Sequence, residues 1–191
     1  MVDERGAPIA LAAVYAVADG APGPSAPATS RTAVMDQSHN AFVPHILVVQ
    51  TGTLVDFPNN DTVSHHVYSF SDPKTFELAL YKGNAHPPLV FDKPGLVVLG
   101  CNIHDEMLGY IFVVDTPYFA LTDNAGKARL AALPGGNYSV HVWTPRARPA
   151  DLPTAAPVAI DGAPRELAFQ VKGKLLPEHD HGGSGLTWQR Y

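Results

Sequence analysis

Leu96 to Asp115 reads LVVLGCNIHDEMLGYIFVVD. Two nearly continuous apolar runs, Leu96 to Leu99 and Tyr110 to Val114, flank a short polar loop. Each run has the character of a strand buried on both faces. The loop carries Cys101, His104 and Met107 in the spacing C-x2-H-x2-M. Cys101 is the sole cysteine in the chain, so it has no internal disulfide partner. A thiolate, an imidazole and a thioether on one tight loop suit copper. A thiolate and two imidazoles in a plane, with a weak axial Met, form the trigonal copper site used for electron transfer. The loop supplies three of those four ligands, so a second histidine is expected from elsewhere.

That histidine is sought on a strand. His65 and His66 follow an Asn-rich turn at Asn59, Asn60 and Asp61 and open the β-rich run HHVYSF. Side chains alternate across a strand, so only one of the two can face the site. The other is expected to pack on the opposite face.

The surrounding texture is all-β. Strands are expected at Pro8 to Val17, Ala33 to Met35, Ile46 to Val49, Thr53 to Phe57, Ser64 to Phe70 and Leu89 to Phe91. Further strands are expected at Tyr118 to Thr122, Lys127 to Leu130, Tyr138 to Trp143, Pro157 to Ile160 and Leu167 to Val171. Short strands at this spacing indicate an antiparallel sandwich or barrel. Ser71 to Pro88 is expected to be mostly irregular. Ala18 to Ser30, rich in Ala, Pro, Gly and Ser, reads as a linker or long loop. No strong helix is expected.

Composition narrows the functional classes. The 191 residues include 46 % hydrophobic and only 16 % charged side chains, enough for a real core. The net charge of −5 argues against a nucleic-acid partner. No run approaches the ~18 apolar residues of a membrane helix. The mixed charges of MVDERGAPIALAAVYAV do not read as a signal peptide; the sequence reads as a domain interior from its start, and a leader is expected to be missing from it.

Four segments resemble the cupredoxins, in particular the plastocyanin and amicyanin type. Phe42-Val43-Pro44, Ile46 to Val49, Gly52 and Val55 resemble that family's first strands. FPNNDTVSHHV (Phe57 to Val67) resembles its N-x4-HNV segment, FDKPG (Phe91 to Gly95) the turn before the ligand loop, and CNIHDEM with Gly109 the short ligand loop. The resemblance implies a Greek-key β-sandwich over residues 32–115 that binds one copper ion. It implies His65, Cys101, His104 and Met107 as ligands, with His66 in place of the family's usual Asn. Backbone N–H groups near Asn102 and the Asn59–Asn60 turn are expected to hydrogen-bond the sulfur. Asp105 and Glu106 depart from the family by placing carboxylates inside the ligand loop.

TDNAGKARLAALPGGNYSVHVW (Thr122 to Trp143) resembles a carboxypeptidase regulatory-like, or Ig-like, β-sandwich. Asp3 to Pro8, with Ala12 or Ala13 and Val14, resembles that family's opening segment. The implied organisation is a smaller, discontinuous β-sandwich from residues 1–31 and 116–172, interrupted by the cupredoxin region, with a tail at 173–191. Chains of this composite type resemble proteins labelled methylamine utilisation proteins. The expected function is single-electron transfer between redox protein partners by a monomeric, periplasmic, non-enzymatic copper protein. Copper handling or tolerance in the periplasm is the alternative, favoured if His39, His45, His179 or His181 bind further metal. A copper-free structural module is the other. A Cys101–His104 nucleophile would leave Met107 unexplained and lacks a recognisable oxyanion hole.

Overall fold

A computed structural model describes residues 1–20, 31–130 and 133–177. Most of the expected linker, His179, His181 and most of the expected tail lie outside the described residues. The described chain is all-β apart from one 3-10 turn at Pro149–Asp151. No helix of the described residues is long and apolar enough to cross a membrane.

Among the described residues fourteen strands form the framework: β1 Ala13–Ala18, β2 Thr32–Val34, β3 Asp36–Ser38, β4 Ala41–Val43, β5 Ile46–Gln50, β6 Thr53–Asp56 and β7 His65–Ser71. They continue as β8 Lys74–Tyr81, β9 Leu89–Phe91, β10 Gly95–Cys101, β11 Leu108–Val114, β12 Phe119–Leu121, β13 Gly136–Trp143 and β14 Ala156–Ile160. A five-stranded sheet runs β5-β11-β10-β7-β8, and a three-stranded sheet runs β2-β6-β9. The apolar core between them holds Phe42, Val55, Phe57, Val67, Phe91, Val97, Leu99 and Ile111, together with Cys101 and Met107. A four-stranded sheet, β12-β1-β13-β14, joins the first of the described strands to the last three.

The strand pairing places the site. β10 and β11 form an antiparallel hairpin whose connection is the ligand loop. β10 also pairs with β7, Gly100 opposite Tyr68 and Cys101 opposite Val67. Alternation turns Val97, Leu99 and Cys101 inward from β10, and His65, Val67 and Ser69 inward from β7. His65 and Cys101 therefore share the buried face of one sheet, at the end where the loop leaves it.

Three sequence expectations need correction. The supposedly irregular Ser71 to Pro88 contains β8, eight residues long and hairpinned to β7. A register shift between His65 and Val67 breaks the two-residue period in that ladder, and Lys, Glu and Ala dilute its β-formers. Lys127 to Leu130 forms no strand. Asp123 Oδ1 accepts from the N–H groups of Ala125 and Lys127, and the edge beside β13 is taken by β14. Leu167 to Val171 contributes only one bridge, Gln170 with Val2.

Aromatic rings fill the space between the outer face of β11 and the four-stranded sheet. Phe112 stacks on Trp143 with centroids 4.9 Å apart. Tyr15 meets Phe112 edge-on and stacks on His141, and Tyr110 meets both Trp143 and His45.

Gly109 lies where β11 leaves the ligand loop. A Cβ there would sit 2.8–2.9 Å from three atoms of the fully buried Phe42 side chain. Gly109→Ala is expected to lower stability by about 1–3 kcal/mol, the usual range for overpacking. Denaturant unfolding checks this; an unchanged midpoint would contradict the tight packing.

Candidate metal centre

Two rigid strand ends and one loop bring together His65, Cys101 and His104. His65 is fully buried at the start of β7, and Cys101 is buried at the end of β10. His104 is half-buried on the loop. Cys101 Sγ lies 3.7 Å from His65 Nδ1 and 3.7 Å from His104 Nδ1. The two Nδ1 atoms are 3.1 Å apart. A point equidistant from these three atoms lies about 2.0 Å from each, close to ordinary metal–nitrogen and metal–sulfur bond lengths. Among the described residues this is the one group of three or more His, Cys, Asp or Glu side chains with metal-binding spacing. One soft sulfur and two imidazole nitrogens in a triangle fit copper's preferences.

Met107 is buried in the same core as Cys101. Its N–H donates to the His104 carbonyl at 2.9 Å, closing the loop on itself. Asn102 donates its N–H to the His66 carbonyl at 3.0 Å. This corrects the expectation that the N–H would reach the sulfur: pairing with β7 continues one residue past Cys101 and takes it.

The expected role of Asn59 is also corrected. Its amide donates to the carbonyls of Val63 and Tyr81 at 3.0 and 2.8 Å, while its Oδ1 accepts from the Asp61 N–H. Buried Asn59 thus knots the turn that launches β7. The Asn60 side chain donates to Asp36.

Asp61 is the functional residue that the sequence reading passed over. Its Oδ2 lies 3.0 Å from His65 Nε2 and accepts the Asn40 N–H at 2.7 Å. Its Oδ1 accepts the Thr62 N–H. Partial burial pushes the Asp61 carboxyl up, but the hydrogen bonds from Asn40, His65 and Thr62 outweigh it and hold the group down at about 2. An acid four residues before a candidate ligand histidine was the available signal.

The other described histidines lie outside this triangle. His66 faces outward and pairs with Glu77 at 2.7 Å, in keeping with strand alternation. His39 Nδ1 contacts Ser38 Oγ, His45 Nδ1 contacts the Leu108 carbonyl, and His86 Nε2 contacts the Ala79 carbonyl. Asp105 and Glu106 are exposed beside His104.

No protein-family model matches the chain, and no curated protein matches it. Solved structures similar to parts of it include a purple cupredoxin from Nitrosopumilus maritimus. That likeness has 20 % identity and a TM-score of 0.38, and covers 44 % of this chain and all of the cupredoxin. A reduced amicyanin variant aligns at 21 % identity and a TM-score of 0.39, covering 52 % of this chain and 99 % of amicyanin. A copper-containing nitrite reductase from Thermus scotoductus aligns at 27 % identity and a TM-score of 0.40. There the match covers 51 % of this chain but only 25 % of the reductase.

The depressed Asp61 carboxyl sets a pH dependence for the metal-free protein. Its folded value, about 2, lies below the ordinary 3.8. Its contribution is therefore present above about pH 4 and lost as the pH falls towards 2, amounting to about 1–2 kcal/mol. Asp61→Asn is expected to remove that part of the acid dependence. Unfolding midpoints at pH 6 and pH 3 check it; a variant with the wild-type difference between the two would contradict it.

Proposed function

We propose that this chain is a type 1 copper protein carrying single electrons between redox protein partners. The carrying observation is the triangle of Cys101 Sγ, His65 Nδ1 and His104 Nδ1, with donor spacings of 3.7, 3.7 and 3.1 Å. Cys101, His65, His104 and Met107 are the residues that would hold the ion. One copper per chain, when bound, would supply a single-electron couple between Cu(I) and Cu(II). The protein holds the donors in one geometry for both states. Cys101 and His65 are fixed by paired strands and buried in a packed core, so little rearrangement need accompany a change of charge.

This arrangement favours a carrier over an enzyme. Four protein side chains would hold the ion, whereas a catalytic metal keeps a position open for substrate. His104, half-buried on the loop, is the natural edge for electron exchange with a protein partner. We assign the copper function to residues 32–115. The four-stranded sheet built from both ends of the chain is read as a separate regulatory-like β-sandwich, residues 1–31 with 116–172. A monomeric periplasmic carrier is the setting in which this reading is framed.

One equivalent of Cu(II) added to the purified protein tests the proposal by visible and EPR spectroscopy. An intense thiolate-to-copper band with narrow hyperfine splitting is expected, and Cys101→Ser should abolish it. A weak tetragonal signal indifferent to Cys101→Ser would overturn the proposal and move copper to other histidines, as in a copper-handling protein. No bound copper would leave a structural module.

A further inference from the structure

We propose that Asp61 is the positioning residue that selects which ring nitrogen of His65 faces the metal pocket. A neutral imidazole carries its proton on one nitrogen and a bare lone pair on the other. An ionised carboxylate only accepts hydrogen bonds. Asp61 Oδ2, 3.0 Å from His65 Nε2, therefore holds the proton on Nε2. The lone pair is left on Nδ1, the atom 3.7 Å from Cys101 Sγ and 3.1 Å from His104 Nδ1. His65 is fully buried, so bulk water does not compete for Nε2.

Asp61 is itself held from a remote part of the chain. Asn40, 21 residues earlier, donates its N–H to the same Oδ2 at 2.7 Å. Asn40 sits with His39 in the two-residue turn between β3 and β4, and both have positive φ, 58° and 54°. Positive φ at both central residues is the mark of the tight hairpin turn that matches strand twist. The turn thus presents an N–H to a carboxylate that in turn aims an imidazole. A carboxylate behind a ligand histidine also raises the basicity of the ring. That favours Cu(II) over Cu(I) and lowers the reduction potential.

The tautomer assignment does not depend on copper; the effect on potential rests on the copper reading above. The first test is therefore ¹⁵N NMR of the imidazoles in the metal-free protein. Wild type is expected to show His65 wholly as the Nε2–H tautomer. Asp61→Ala, which removes the acceptor, is expected to show an appreciable Nδ1–H population. Asp36→Asn serves as the control: Asp36 ties the same hairpin to Asn60 and does not touch His65. It should loosen the turn without changing the tautomer. With one equivalent of Cu(II), Asp61→Asn is expected to weaken binding about 10–100-fold and to raise the reduction potential. A folded Asp61→Ala protein that keeps His65 wholly as Nε2–H would overturn the assignment. So would Asp36→Asn shifting the tautomer as much as Asp61→Ala. A wild type with the predicted tautomer but no thiolate band would sink the copper reading alone.

Discussion

The pairing of β10 with β7, Cys101 opposite Val67 and Gly100 opposite Tyr68, is the constraint on which the site depends. A slip of one residue would turn every side chain of one strand to the other face. His66 would then enter the core and His65 would leave it, or Cys101 would point to solvent. The pairing is protected on both sides. Inward, Val67, Val97 and Leu99 are fully buried in the core. Outward, the Tyr68 ring lies so close over Gly100 that a Cβ there would approach it to 2.7 Å. A residue without a side chain is what lets the tyrosine cross the strand.

Around the candidate metal site the core gives way to a hydrogen-bonded polar shell, in which Gln37 Oε1 is left without a partner. Asn59 holds the carbonyls of Val63 and Tyr81. Gln37, fully buried, donates to the Pro58 carbonyl and to Tyr81 Oη, and Tyr81 Oη donates to the Phe57 carbonyl. Burial pushes the Tyr81 phenol up to about 12, so it stays a neutral donor. Buried polar groups with their partners made rigidify a structure, whereas unpaired ones destabilise it. Here they fix the turn from Asn59 to Ser64, and that turn sets where β7 begins. Two kinds of rigidity therefore meet at His65: strand pairing along its backbone and a carboxylate at its ring.

The sequence was most legible where chemistry and periodicity coincide. Two apolar runs around a loop with Cys101, His104 and Met107 locate the hairpin and most of its donors without any structure. Strand alternation restricts His65 and His66 to one inward residue. What stayed hidden depends on partners distant in the chain. β8 was obscured because its ladder with β7 shifts register, and a period of two cannot be read through such a shift. The destination of the Asn102 N–H depends on how far β7 runs beside β10. Asp61 looks like one more turn-former in NNDT until the Asn40 turn, 21 residues away, is folded against it.

Folding alone assembles one sulfur and two imidazole nitrogens at bonding distance from a common point. X-ray absorption at the copper K-edge of the protein loaded with one equivalent of copper measures that most directly. One short copper–sulfur vector and two copper–imidazole vectors, nearly unchanged between Cu(II) and Cu(I), are expected. A shell of nitrogen and oxygen alone, or one rebuilt on reduction, would contradict it.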